Sequence, residues 1–127
     1  MTINERMDYA AQRKKEMNCC QAVLAAFAGE LGRSEEELLR LGAGFGSGMG
    51  TMEGTCGALV GAIMVSSLLS EKGAAMAASR AIVPRFKELC GATVCRDLKG
   101  VGTGKILCSC GNCVRNAVQA VAETLAI

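Results

Sequence analysis

The sequence contains no histidine and no tryptophan, a single proline, and only three Phe and one Tyr. Without histidine, the commonest general base and the commonest metal ligand are both missing. This excludes a Ser–His or Cys–His nucleophile, and it excludes a c-type haem site, which requires Cys-x-x-Cys-His. Any site for a soft metal must therefore be built from thiolates. With so few aromatic residues, the core must consist of Ala, Leu, Val, Met and Gly.

The charges are balanced and interspersed, with 14 Lys and Arg against 12 Asp and Glu and a net charge of +2. This balance predicts no nucleic-acid partner. The longest uncharged run covers residues 54–70, shorter than the ~20 apolar residues of a transmembrane helix, so we expect no membrane insertion. Residues 1–17 carry charges and no apolar segment, which predicts no secretion signal and a cytoplasmic location.

Hydrophobic residues recur with helical period along the chain, and no β-type alternation runs longer than four residues. We expect a first helix over residues 4–16, and a second over 19–31 that Asn18 caps. Ser34 and Glu37 form a capping-box pattern for a third helix. A segment with glycines at many positions, residues 44–54, is too rich in glycine for a regular helix or strand and predicts a loop.

The segment from Cys56 to about residue 70 predicts the most apolar and central helix. A further helix is expected over residues 74–89, with a kink or restart at Pro84. One turn at 95–98 and a last helix over 112–125 complete the prediction. The fold class is therefore all-α: one domain over residues 1–127, a compact bundle of five or six helices with a Gly-rich loop before the central helix.

Small residues recur every four positions on one face of the central helix, including Gly57 and Gly61. Such a face allows a neighbouring helix, or the same helix of a second subunit, to approach almost to backbone contact. A homodimer through the Gly57/Gly61 face is accordingly one expectation.

Eight cysteines are unusual in a chain of this length, and in a reducing compartment such cysteines more often bind metal or perform redox chemistry than form disulfides. Cys56 lies at the start of a helix, where the helix dipole is expected to lower the thiol pKa. Cys108, Cys110 and Cys113 form a C-x-C-x-x-C pattern that leads into a helix, and three thiols so spaced can bind zinc or a cluster. Cys90 is interpreted as a core residue, whereas Cys95 lies in a connection and is the better candidate.

Five segments in this order resemble the C_GCAxxG_C_C family of redox-active proteins: NCCQAVL (18–24), GFGSGMG (44–50), CGALVGA (56–62), CRDL (95–98) and CVR (113–115). The resemblance covers nearly the whole chain beyond the first helix. It implies a helical domain in which four characteristic cysteines converge, matching Cys20, Cys56, Cys95 and Cys113. In larger electron-transfer proteins, related domains have been proposed to carry an iron–sulfur cluster. The chain departs from the family pattern by also having Cys19, Cys90, Cys108 and Cys110.

Three functions follow as hypotheses. In the first, Cys20, Cys56, Cys95 and Cys113 hold an iron–sulfur cluster for electron transfer or redox sensing, with Cys108 and Cys110 as substitute ligands. In the second, the protein is a metal-free thiol–disulfide oxidoreductase or redox switch, in which Cys56 or Cys113 attacks and Cys110 or Cys20 resolves. In the third, four cysteines bind zinc and stabilise a helical interaction module. The first two make the protein an electron carrier or an oxidoreductase with a redox partner protein.

Overall fold

The structure is a computed structural model that describes all residues from 1 to 127. It is entirely helical apart from turns and one isolated backbone bridge. The all-α prediction is therefore confirmed, but the expected number of five or six helices is wrong, because there are eight. They are α1 (Ile3–Arg13), α2 (Cys19–Ala26), α3 (Ala28–Leu31), α4 (Glu35–Gly42), α5 (Gly57–Leu69), α6 (Ala75–Cys90), α7 (Cys95–Lys99) and α8 (Cys110–Leu125).

The additional helices come from short segments and from one break. The helix expected over residues 19–31 is divided at Phe27, whose φ of −114° and ψ of 15° end α2 before α3 begins. The turn expected at 95–98 is a short helix, α7. By contrast, α6 is one continuous helix through Pro84, so of the kink or restart expected there the restart does not occur. The last helix begins at Cys110, two residues before the predicted start.

Side-chain caps explain where several helices begin. The Asn18 side chain accepts a hydrogen bond from the Gln21 backbone N–H (2.9 Å), and the Gln21 side chain accepts one from the Asn18 N–H (3.0 Å), which completes a capping box. Ser34 accepts from the Glu37 N–H at 3.2 Å, as predicted. The other half of that box is absent, since the Glu37 carboxylate accepts from Arg33 (2.9 Å) instead.

The centre of the bundle consists of α2, α5 and α8, which pack against one another. Around them, α1 packs on α2 and α8, α4 packs on α2, and α6 packs on α5 and α8. Phe27 and Phe86 are the two aromatic residues of the core, which otherwise consists mainly of Ala, Val, Leu and seven buried cysteines. None of the helices combines the length and the hydropathy that crossing a membrane would require.

The glycine face of α5 packs against α2 of the same chain. A Cβ added at Gly61 would lie 3.0 Å from both the Cys20 carbonyl oxygen and Val23 Cβ, and one added at Gly57 would lie 2.6 Å from the Phe45 carbonyl oxygen. The two small residues therefore allow close helix packing within the chain. The Gly57/Gly61 face, through which a homodimer was expected, is therefore in contact with residues of the same chain.

Candidate thiol and metal site

Two helix starts that carry cysteines are held side by side by backbone hydrogen bonds. Thr55 and Val94 form an antiparallel bridge. The Cys56 N–H donates to the Thr93 carbonyl (2.8 Å), and the Cys95 N–H donates to the Gly54 carbonyl (3.0 Å). Since Cys56 immediately precedes α5 and Cys95 opens α7, this bridge places two thiols from distant segments next to each other.

The Gly-rich segment lies against this pair of helix starts. It contains a 3₁₀ turn, Ala43–Phe45, and a π-helical turn, Gly48–Met52. Gly48 has a φ of 59°, and a Cβ there would come within 2.8 Å of Cys95 Cβ. Glycine is needed at this position for both its left-handed backbone and its close approach to α7. The predicted loop is thus an irregular helical segment that closes one side of the site.

Four thiols line a cavity of about 100 Å³ beneath this segment. We call them the cavity thiols: Cys19, Cys56, Cys95 and Cys110. Lys14 and Lys99 line the same cavity, together with Asn18, Ser47, Met52 and Gly57. Two ammonium groups beside four sulfurs would offset the negative charge of thiolates or of a thiolate-bound anionic cluster.

A second group of thiols lies in the core. The Sγ atoms of Cys90, Cys108 and Cys113 all lie within 4.8 Å of one another, and all three residues are buried. We call them the inner thiols. Cys90 is the last residue of α6, Cys108 precedes α8, and Cys113 lies on its first turns. The C-x-C-x-x-C segment is therefore divided, with Cys110 in the cavity and its two neighbours among the inner thiols.

Two polar side chains contact the inner thiols. Lys99 Nζ lies 3.3 Å from Cys113 Sγ and 3.2 Å from the Cys108 carbonyl oxygen. Asn116 Nδ2 lies 3.3 Å from Cys90 Sγ and 3.9 Å from Cys108 Sγ. Both groups donate hydrogen bonds, so both favour sulfur that carries negative charge.

The thiols are shifted towards the protonated form. A hydrogen bond with Cys113 and burial raise the pKa of Cys56, and these outweigh the lowering by the Ala58 and Leu59 N–H groups at the start of α5. The expectation of a lowered Cys56 pKa is thus wrong, because the dipole acts on a buried thiol beside another thiol. Burial, then the charges of Cys110 and Cys56, raise the pKa of Cys19 to about 12.

The remaining shifts have the same direction. Burial, followed by the charges of Cys19 and Cys56, raises the pKa of Cys20 to about 12. Burial and Cys56 raise the pKa of Cys95. Contact with Cys56 lowers the pKa of Cys113, but contact with Cys90 and burial together raise it more. The surroundings therefore favour the protonated form of five thiols: Cys19, Cys20, Cys56, Cys95 and Cys113.

The four cysteines implied by the family resemblance are distributed over both groups. Cys56 and Cys95 are cavity thiols, and Cys113 is an inner thiol in contact with Cys56. Cys20 is fully buried, and its Sγ lies 3.8 Å from Met64 Sδ. Cys56 interacts with each of the other three, through the Cys113 contact or through the charges that raise their pKa values. Cys56 is thus at the centre of the predicted set.

Among the residues of the site that were missed from the sequence are Cys19, Cys90, Lys99 and Lys14. Cys90 is buried, as predicted, and it extends the buried stripe of Ala78, Ile82 and Phe86 at the same spacing of four, but this spacing gave no sign of its two thiol neighbours. Lys99 follows Cys95 by four residues, which places both on one face of α7. Lys14 carried no sequence signal, since it belongs to a basic run that looks solvent-exposed.

An all-helical fold with two adjoining groups of thiols, all of them buried except the half-buried Cys110, defines a class of cysteine-based redox or metal-binding proteins. Residues 17–124 match the family described as "Putative redox-active protein (C_GCAxxG_C_C)". The chain belongs to this family, as its sequence motifs predict. No curated protein and no solved structure shows significant similarity to the chain.

Proposed function

We propose that the protein is a one-electron redox protein, acting in electron transfer or redox sensing, with an iron–sulfur cluster bound by the cavity thiols. The observation that supports it is the presence of four thiols around one cavity of about 100 Å³, with two lysines beside them. Cys₄ ligation is the usual mode of binding for [2Fe–2S] and [4Fe–4S] clusters. The ligand set proposed is Cys19, Cys56, Cys95 and Cys110.

The donor chemistry fits such a group. The chain offers no histidine, and the cavity contains no carboxylate, so sulfur is the only strong anionic donor present. The raised pKa values of Cys19, Cys56 and Cys95 mean that protons occupy these three sulfurs at neutral pH until a metal displaces them. Lys14 and Lys99 would then favour the anionic centre. A cluster would supply one-electron transfer, while the protein residues exclude solvent from it and set its potential.

The ligand set differs from the one implied by the family resemblance at two positions. Both sets include Cys56 and Cys95. The cavity set adds Cys19 and Cys110, whereas the family set adds Cys20 and Cys113. We favour the cavity set because Cys20 packs against Met64 and Cys113 lies with the inner thiols. The two sets differ in cysteines that lie close together in the sequence, Cys19 against Cys20 and Cys110 against Cys113. Serine variants of these cysteines are therefore a matched comparison.

The test is anaerobic purification without chelators, followed by visible spectroscopy and analysis of iron and sulfide. Sulfur-to-iron bands that bleach with dithionite are expected. Changing Cys56, Cys95, Cys19 or Cys110 to serine should remove iron, whereas Cys20→Ser should retain it. Loss of iron in Cys20→Ser and Cys113→Ser, with retention in Cys19→Ser and Cys110→Ser, would show that the family set is correct. Wild-type protein that never binds iron, even after reconstitution, would refute the cluster.

A second candidate function follows from the interaction between Cys56 and Cys113, each of which shifts the pKa of the other. In a thiol–disulfide oxidoreductase, these two thiols would form a disulfide, releasing two protons and passing two electrons to a partner disulfide. This candidate predicts a metal-free protein that loses two titratable thiols on mild oxidation. Mass spectrometry should then identify a Cys56–Cys113 peptide. An unchanged thiol count would exclude it.

A further inference from the structure

The inner thiols form a site that the proposed cluster does not use. Cys90, Cys108 and Cys113 come from the end of α6, from the connection after α7 and from the first turns of α8. Only Cys113 belongs to the four cysteines of the family pattern. Their sulfurs lie within 4.8 Å of one another without forming a disulfide. We propose that these three cysteines bind one Cu(I) ion as a three-thiolate site.

The distances suit three sulfurs around one ion. Metal–thiolate bonds of about 2.3 Å place the sulfurs of a planar three-coordinate ion about 4 Å apart. Starting from separations of up to 4.8 Å, the three side chains need to approach by less than about 1 Å. All three residues are buried, with exposed fractions of 4%, 7% and 0% for Cys90, Cys108 and Cys113. The ion would therefore be shielded from water and oxygen.

The absence of a fourth ligand in the group favours Cu(I) over zinc. Structural zinc takes four ligands, usually cysteine or histidine. The polar groups that contact the inner thiols, Lys99 Nζ and Asn116 Nδ2, are hydrogen-bond donors and have no role as ligands. Cys56 contacts Cys113 but does not belong to the three-sulfur group. Soft thiolates are preferred ligands of Cu(I), which accepts three-coordination.

The charges of the ion, its three thiolates and the neighbouring donors are also compatible with Cu(I) binding. Binding breaks three S–H bonds and forms three Cu–S bonds, and three protons leave to solvent while copper remains in the +1 state. The resulting site carries a charge of −2. Lys99 and Asn116 donate hydrogen bonds to its sulfurs, and such hydrogen bonds orient and stabilise metal-bound thiolates.

The experiment is an anaerobic titration of the full, reduced chain with Cu(I), supplied as its acetonitrile complex, in competition with a colorimetric Cu(I) chelator. One Cu(I) per chain is expected, with copper-edge X-ray absorption showing three sulfur ligands. Cys90→Ser and Cys108→Ser should each abolish this binding. The Cys19→Ser/Cys110→Ser double variant is the matched control and should retain it. Circular dichroism checks that each variant folds, and Cys108→Ser is the safer one because Cys108 lies outside any helix.

The possible results separate this site from the proposed cluster. Copper binding that survives in both Cys90→Ser and Cys108→Ser, or that is lost only in the cavity double variant, would overturn the inner-thiol site. Preferential binding of zinc with four sulfurs, lost in Cys56→Ser, would overturn the assignment to copper. Iron content measured on the same variants reports on the cluster alone, since Cys90→Ser and Cys108→Ser are expected to keep it.

Discussion

Replacing Gly57 by alanine is expected to separate the Gly-rich segment from α5. Gly57 is the first residue of α5, and a Cβ there would lie 2.6 Å from the Phe45 carbonyl oxygen and 3.4 Å from the Cys20 backbone nitrogen. Both are backbone atoms, so no side-chain rotation can relieve the contact. The Phe45 segment or α5 must move instead.

The size of the effect follows from two opposing contributions. Overpacking of a tight contact costs about 1–3 kcal/mol. Alanine is a better helix former than glycine by up to about 1 kcal/mol, but the benefit is smaller at the first residue of a helix. We therefore expect Gly57→Ala to lower the free energy of unfolding by about 2 kcal/mol. For a chain of this length this corresponds to a fall in Tm of about 5–10 °C.

Urea denaturation followed by circular dichroism measures this effect, with Gly29→Ala as the control. Gly29 lies in α3, where an added Cβ meets no heavy atom within 4 Å, so that variant should be as stable as the wild type or slightly more stable. Because Phe45 precedes the segment that covers the cavity, alkylation of Cys56 and Cys95 should also become faster in Gly57→Ala. A Gly57→Ala protein as stable as Gly29→Ala would refute the steric argument.

Three further predictions concern single side chains. Glu30→Gln should lower the free energy of unfolding by about 1–2 kcal/mol, discounted for partial exposure, because the buried Arg6 guanidinium donates to Glu30 (2.9 Å) and to the Ala26 carbonyl (2.6 Å). Arg6 holds the pKa of Glu30 below its usual value, so this contribution is present above about pH 4.3 and is lost as the pH falls through the lower folded-state pKa. Urea denaturation at neutral and acidic pH measures this contribution. The control is Glu123→Gln, which removes the more exposed ion pair with Arg85. Equal losses of unfolding free energy in both variants would contradict the prediction. Asn18→Ala should lower the free energy of unfolding by about 2 kcal/mol, against about 1 kcal/mol for Ser34→Ala in the same assay, because the Asn18 amide also donates to the Gly42 (3.2 Å) and Ala43 (3.3 Å) carbonyls. A larger loss of unfolding free energy in Ser34→Ala would contradict this prediction. Lys99→Met should lower the reduction potential of the redox centre in a spectroelectrochemical titration, since removing a positive charge disfavours the added electron. Lys105→Met, at an exposed position, is the control and should leave the potential unchanged. Equal potentials in the wild type and both variants would count against the role of Lys99.

The local features of the fold were predictable where a side chain acts on its own helix. Asn18 and Ser34 cap the helices that they were expected to cap, since the required hydrogen bonds join residues three positions apart. The break at Phe27 was not predictable in this way. Residues 19–31 are compatible with one helix, and Phe27 is completely buried with the Arg6 guanidinium 4.5 Å above its ring.

In the candidate site, too, local features could be predicted from the sequence, whereas tertiary contacts could not. The C-x-C-x-x-C segment predicted thiol chemistry. Its spacing could not show that Cys110 lies in the cavity while Cys108 and Cys113 lie with Cys90. The helix dipole at Cys56 predicted a lowered pKa, because the dipole is a local effect. Burial and contact with Cys113 are tertiary effects, and they raise the pKa instead.

The sequence alone determined that the protein is helical, that its core contains few aromatic residues, and that any soft-metal site must use thiolates, because composition, period and the absence of histidine are properties of the chain itself. It also determined family membership through motifs that keep their order and spacing. Only the tertiary structure decided which thiols meet. The docking of α6 and α8 brings Cys90 to Cys113, and the bridge between residues 55 and 94 brings Cys56 to Cys95. Such contacts join residues far apart in the chain, and their positions depend on the packing of whole helices.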